Sequence, residues 1–262
     1  MTGMVRSTLW LGFFTLILAA WWMMYSMAMQ MDVDLLGRPG TMGERMRQMN
    51  PGMDMYMPMA RFFPLFTMWG AMMAAMMVPT MVPTLRAYED LMTSANGTRA
   101  GWLAVLAGYF AVWLAFAAGI AGLQLLLLHG GVIDMLGIAK SRWTAAALLL
   151  SVGLFQFTRA KEVCHGVCHS PMMYFMGHWR PGFAGGFRMG LGLGTFCAGC
   201  CWGFMVLGFA GGVMNLAWMG LATLFMVIEK LPQIGNYVTK PMGFTLILGA
   251  VVVAGWPAIT GG

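Results

Sequence analysis

The fold follows from long apolar stretches such as residues 62–85, FFPLFTMWGAMMAAMMVPTMVPTL, which contain no charged residue. A helix needs about 20 mostly apolar residues to cross the hydrocarbon core of a membrane. By this criterion we predict seven uncharged spans, of which the fourth and sixth are the shortest. They are residues 7–31, 62–85, 101–128, 143–158, 189–211, 212–228 and 241–260.

The composition points to the same class of protein. Of the 262 residues, 60% are hydrophobic and only 9% are charged, whereas about 25% of residues are charged in soluble domains. This excludes disordered, collagen-like, coiled-coil and nucleic-acid-binding proteins. We therefore predict an all-α polytopic transmembrane bundle with about seven spans, or six if one short segment is re-entrant.

The distribution of Lys and Arg predicts the orientation, because cytoplasmic loops are enriched in both. The count favours a cytoplasmic N-terminus, in the inner membrane of a bacterium with the lipid bilayer as the first partner. Residues 1–61 then form the first span and a Met-rich outer loop. Residues 62–262 form the helical bundle, with a Cys/His loop at 159–188 on the cytoplasmic side.

Sulfur-containing side chains are the main potential metal ligands that the sequence places inside the predicted spans. No ionisable side chain is expected well inside them, which argues against a proton relay. Cys197, Cys200 and Cys201 fall within about 100° of one helix face and could converge on a soft ion such as Cu(I). The alternative is close helix packing, because glycines recur every four residues from Gly186 to Gly194.

A second set of donors follows the fourth span: Cys164, His165, Cys168 and His169 lie within six residues. On a helix the two thiols and the two imidazoles would form adjoining stripes, and Pro171 would end that helix. The spacing is not that of c-type haem attachment. We interpret the set as a metal or redox site, with Zn as the alternative ion to Cu(I). The competing interpretation is a group of side chains at a helix end.

Methionine forms the third set, since the chain contains 31 of them. Thioethers bind Cu(I) without losing a proton, although Met also serves as a flexible packing residue. Pro79 and Pro83 should kink the second span beside its Met face. The candidate copper ligands are Met53, Met55, Met57 and Met59 in the outer loop and Met72 and Met76 in the second span.

Two oppositely charged residues directly follow the sixth predicted span. Glu229 and Lys230 are expected to form an ion pair at the cytoplasmic interface. The alternative is that Glu229 binds a metal or orients a histidine that does.

Several stretches resemble a bacterial family of predicted metal-binding integral membrane proteins. They are MWGAMMAAMMVP (68–79), WRPG (179–182), CAGCCW (197–202) and MNLAWM (214–219). The resemblance extends over about residues 62–255 and implies a polytopic fold that binds metal through Cys and Met. It implies no reaction, and it includes neither the His165/His169 pair nor the alternating Met loop.

These patterns favour a membrane protein that captures, relays or delivers copper and has no catalytic activity of its own. No nucleotide-binding motif is present, so any movement of copper would be passive or driven by a partner that delivers or receives the metal. The main alternative is an accessory subunit of a larger membrane metalloenzyme or electron-transfer complex, with other membrane subunits as partners. A thiol-redox membrane protein is the lesser alternative, because adjacent cysteines such as Cys200 and Cys201 form strained disulfides.

Overall fold

The computed structural model describes residues 3–38, 40, 61–92, 94, 95, 97–231 and 234–255. In these residues the chain is helical and has no strand, which confirms the all-α prediction. The helices are α1 (Gly3–Gln30), α2 (Phe62–Met77), α3 (Val82–Met92), α4 (Arg99–His129), α5 (Arg142–Phe155), α6 (Arg159–His169), α7 (Pro171–His178), α8 (Gly182–Val206), α9 (Gly208–Gly211), α10 (Leu216–Glu229) and α11 (Gly235–Gly255).

Five helical stretches in the described part of the chain are long and apolar enough to cross a membrane. They are Met4–Gln30, Phe62–Met92, Arg99–His129, Gly182–Gly211 and Tyr237–Gly255. The fourth and sixth predicted spans correspond to α5 and α10, which have 14 residues each. At 1.5 Å per residue such a helix is about 21 Å long, short of the roughly 30 Å of a bilayer core. Seven spans are therefore not confirmed.

The segment predicted as a Cys/His loop is helical, which corrects that prediction. It contains α6, which ends at His169 just before Pro171 as the sequence indicated, and α7, which begins at Pro171. The hydroxyl of Thr158 accepts a hydrogen bond from the backbone N–H of Lys161 at 3.3 Å and so caps α6. Capping explains why a helix begins here despite a charged first turn.

The second predicted span is interrupted at Pro79, as expected. Helix α2 ends at Met77, and a 3₁₀ turn over Pro79–Met81 leads into α3. Proline lacks the N–H that would continue the helical pattern. The freed carbonyl of Met77 accepts a hydrogen bond from the Thr80 hydroxyl at 2.7 Å. The interruption therefore places a polar side chain in the protein interior.

Helices α4 and α8 lie parallel and in close contact through glycines. A Cβ atom added at Gly186 would collide with the Gly101 carbonyl oxygen, and one at Gly190 with the Val105 carbonyl oxygen. At Gly194 it would lie 3.0 Å from the carbonyl oxygen of Tyr109. Small residues let helix backbones approach this closely. The contact fixes the register of α8 and brings Tyr109 beside the cysteines of that helix.

Helices α6 and α7 also pack against α8. Helices α6 and α7 run antiparallel to it, because Cys164 lies against Gly199 while Tyr174, further along the chain, lies against Gly192. Helices α10 and α11 meet in a turn next to α6, since Gly235 lies against the imidazole of His169. This turn brings the end of α10 to the cysteines.

Candidate metal centre

Helices α6 and α8 bring three thiols together in the interior. The sulfur atoms of Cys168, Cys197 and Cys200 all lie within 4.8 Å of one another. Those of Cys168 and Cys200 are 3.9 Å apart. The side chains are 5%, 0% and 2% exposed, respectively. We call these residues the thiol triad; α8 supplies two of them one turn apart and α6 supplies the third.

The other two cysteines differ in their relation to the triad. The sulfur of Cys201 is buried and lies 3.3 Å from that of Cys200. Cys164 is half-buried against Gly199 and is not one of the three. All five cysteines are free thiols. The sequence analysis treated the cysteines of 164–169 and of 197–201 as two separate candidate sites, whereas in the structure Cys168 joins Cys197 and Cys200.

A buried lysine contacts the triad. The ammonium nitrogen of Lys230 lies 2.9 Å from the sulfur of Cys197 and 2.8 Å from the hydroxyl of Thr80. The phenol oxygen of Tyr109 lies 3.0 Å from the same sulfur and 3.1 Å from Thr80. Cys197 is therefore surrounded by groups that stabilise a thiolate, because a positive charge and hydrogen-bond donors favour the charged form.

A buried ion pair supports the other side of the site. Lys161 and Glu229 are 1% exposed each, and their charged atoms are 2.8 Å apart. Lys161 also donates to the carbonyl of Cys200 at 3.0 Å, and the hydroxyl of Thr239 donates to Glu229 at 2.9 Å. Burial alone would lower the pKa of Lys161, but the Glu229 carboxylate and the neighbouring thiols outweigh it and raise that pKa. Such a pair holds its helices in place, because separating either charge from its partner is costly.

These contacts overturn one expectation, because Glu229 pairs with Lys161 rather than with its neighbour Lys230. The buried charges Lys161, Glu229 and Lys230 lie in the interior of the bundle but just beyond the ends of the predicted spans. Sequence reasoning missed Lys161, Lys230 and Tyr109 as parts of the site. A usable signal existed in the shortness of the fourth and sixth apolar segments. Helices α5 and α10 have only 14 residues each, about 21 Å, and the charged residues at or beyond their ends, Lys161, Glu229 and Lys230, are buried in the bundle.

The two histidines of α6 lie beside the triad but are not part of it. Their ring centroids are 5.4 Å apart. His165 is buried and its Nε2 lies 2.8 Å from the carbonyl oxygen of Glu229. This contact agrees in part with the suggestion that Glu229 orients a histidine, although the backbone and not the carboxylate makes it.

The structure describes only two of the six predicted methionine ligands. Met72 and Met76 are buried on α2 in the core of the bundle. Their role in binding copper stays a prediction. Met53, Met55, Met57 and Met59 lie outside the residues that the structure describes.

The donor set of the triad suits a soft monovalent ion. Thiolates select Cu(I) over harder cations, and a buried site excludes water that would compete for the metal. Structural zinc sites are almost always tetrahedral with four protein ligands, one more than the triad supplies. Fold and site thus define an all-α protein with a buried thiol site for a soft metal.

Comparison with known proteins agrees with this class. The family model PpoB2, described as copper chaperone, matches residues 66–253, and the chain belongs to this family. No curated protein and no solved structure matches the chain. The resemblance noted in the sequence is therefore supported as one to a copper-related family.

Proposed function

We propose that this protein is an integral membrane copper chaperone that holds one Cu(I) ion at Cys168, Cys197 and Cys200. The observation that carries the proposal is the convergence of three buried thiols from two helices. Membership of a copper chaperone family supports copper as the cargo. Five long apolar helices support a location in the bacterial inner membrane, with a cytoplasmic N-terminus.

The surroundings of the triad suit a carrier better than an enzyme. A Cu(I) ion bound by three thiolates has a net negative charge, part of which the ammonium group of Lys230 would balance in the low-dielectric interior. The ion would move between ligands without changing its oxidation state, so no electron donor or acceptor is needed. We propose that a receiving protein takes the ion from this site by ligand exchange.

Metal binding by the purified chain tests the proposal. The protein, extracted in mild detergent and reduced, should bind a single Cu(I) ion, and X-ray absorption should show sulfur ligands. Replacing Cys197 by Ser should weaken binding by at least about 100-fold, because loss of a ligand costs more than the 10–100-fold typical of an outer-shell partner.

Cys164→Ser is the matched control, since it removes a thiol from α6 without touching the triad. It should retain copper at the level of the unaltered protein. Equal binding by Cys197→Ser and Cys164→Ser, or a reduced chain that binds no Cu(I), would overturn the proposed site. Extraction of the protein from membranes by alkaline carbonate alone would overturn its integral location.

A further inference from the structure

The four histidines of the chain fall into two pairs with different surroundings. His129 and His178 are exposed, and each ring nitrogen Nδ1 bonds the carbonyl oxygen one turn earlier in its own helix, at 2.7 and 3.0 Å. Such contacts keep a ring on the surface of its helix. In the described structure, neither His165 nor His169 bonds a carbonyl of its own helix in this way. The two rings face the end of α10 and the start of α11 instead.

His165 is held as metal-binding histidines are held. Its Nε2 contacts the carbonyl oxygen of Glu229, which belongs to a different helix. A ring that donates one N–H to a carbonyl keeps the lone pair of its other nitrogen available for a metal.

His169 has a buried nitrogen without a partner. Its Nδ1 is inaccessible to solvent and makes no hydrogen bond in the structure. Gly235 lies directly against it, since a Cβ atom at that position would be 3.0 Å from Nδ1. An unsatisfied buried polar atom is costly and is uncommon outside functional sites. A metal ion bound to Nδ1 would satisfy it.

His165 and His169 flank Cys168 of the thiol triad on α6. His169 is half-buried, whereas His165 and Cys168 are buried. Near His169, Ile234 before α11 and Tyr237 in the first turn of α11 have exposed side chains. His169 also directly follows Cys168 in the chain. An ion bound by the imidazoles would thus lie next to the triad but closer to solvent.

We propose that His165 and His169 form a second Cu(I) site, through which the ion is exchanged between the thiol triad and a partner protein. The proposal rests on the proposed function for its cargo. Imidazole is a suitable ligand for copper, but thiolate is the softer donor and holds Cu(I) more tightly. Copper would pass from imidazole to thiolate on loading and return by the same route on release. On loading, copper–nitrogen bonds break and copper–sulfur bonds form, and each thiol that binds copper releases its proton to solvent; on release of the ion the sulfur atoms take up protons again.

Transfer kinetics test the exchange role. His169→Phe keeps a ring of similar size and removes the unsatisfied nitrogen, so the fold should be retained. Transfer of Cu(I) from its bicinchoninate complex to this variant should be slower by at least about tenfold, which is 1.4 kcal/mol in the barrier. The equilibrium affinity of the triad should not change.

His178→Phe is the matched control, because it alters an exposed histidine on the neighbouring helix α7. It should load copper at the rate of the unaltered protein. Equal rates for His169→Phe and His178→Phe would overturn the exchange role. A lower equilibrium affinity in His169→Phe with an unchanged loading rate would also overturn it, since His169 would then belong to the main site.

A second experiment separates this proposal from the proposed function. In a chain with Cys168, Cys197 and Cys200 all replaced by Ser, Cu(I) should still bind weakly, with nitrogen ligands in its X-ray absorption spectrum. Adding His169→Phe should abolish that binding. Nitrogen-ligated copper in the triple variant supports the His pair even if the unaltered chain binds no copper through sulfur. A folded triple variant that binds none overturns the His pair alone.

Discussion

Two contacts between helices of this protein are built in opposite ways. Helices α4 and α8 approach through glycines, with backbone against backbone and no ionisable side chain at Gly186, Gly190 or Gly194. Around α6, the end of α10 and the start of α11, the contact is made by a buried ion pair, a histidine and a lysine. The first contact sets the register of Cys197, and the second brings charge and further ligands to it.

The difference shows how a site with ionisable groups is tolerated in an apolar protein. Close glycine packing leaves no room for adjustment, which makes α8 a rigid support for two thiols. The polar contact is stable only when every charge has its partner, because an unpaired buried charge is costly. Substitutions in the glycine contact should therefore affect folding. Substitutions in the polar contact should affect either folding or copper binding, depending on the residue.

The largest effect is expected at the glycine contact. Gly190→Leu would place a side chain against the backbone of Val105, which cannot move away as a flexible side chain could. We expect a loss of at least about 5 kcal/mol in the free energy of unfolding, at the upper limit for single substitutions. Thermal unfolding in detergent and the yield of folded protein measure it.

Gly119→Leu is the control for that prediction. Gly119 lies on α4 with no atom within 4 Å of an added Cβ. Leu there should leave the unfolding temperature nearly unchanged. A similar loss in both variants would show that glycine is needed for some reason other than close contact.

A smaller effect is expected at the ion pair. Glu229→Gln leaves Lys161 charged and without its carboxylate in the interior, which should cost about 3–5 kcal/mol. Replacing Lys161 by Met as well should recover part of the loss, because no isolated charge then remains. A double-mutant cycle in chemical unfolding measures the coupling. Purely additive effects would contradict a paired structure.

The smallest effect is expected at Lys230, on copper affinity. Lys230→Met removes the charge beside Cys197, so the affinity for Cu(I) should fall by about tenfold, or 1.4 kcal/mol. Lys240→Met makes the same change of charge at an exposed position of α11 and should have no such effect. Competition with a chromophoric Cu(I) chelator measures both. Equal affinities would show that Lys230 serves the fold and not the metal.

Much of the fold could be predicted from local pattern. Apolar runs located the five long helices, Pro79 and Pro171 located two interruptions, and the glycine repeat of α8 indicated its close contact. Boundaries were less certain, because a criterion based on uncharged runs stops at Arg188, whereas α8 begins at Gly182 and leaves that arginine exposed.

For the candidate site, the sequence predicted potential metal-ligand residues but not which of them come together. Sequence spacing placed Cys197 and Cys200 on one helix face, but it could not show that Cys168 and not Cys164 completes the triad. That choice depends on the antiparallel packing of α6 against α8. The neighbours of the site come from residues far apart in the chain, such as Lys230 with Thr80 and Lys161 with Glu229.

By itself the sequence determined the helical class, the soft donors and the glycine face of α8 that allows close packing, because periodicity and side-chain chemistry are local properties. Only the tertiary structure decided which thiols meet, that Lys230 lies against Cys197, and that His169 has a buried nitrogen without a partner. The physical reason is that the charged side chains of Lys161, Glu229 and Lys230 are buried and need partners, which come from distant parts of the chain. The local sequence pattern does not specify which partner a buried charge takes.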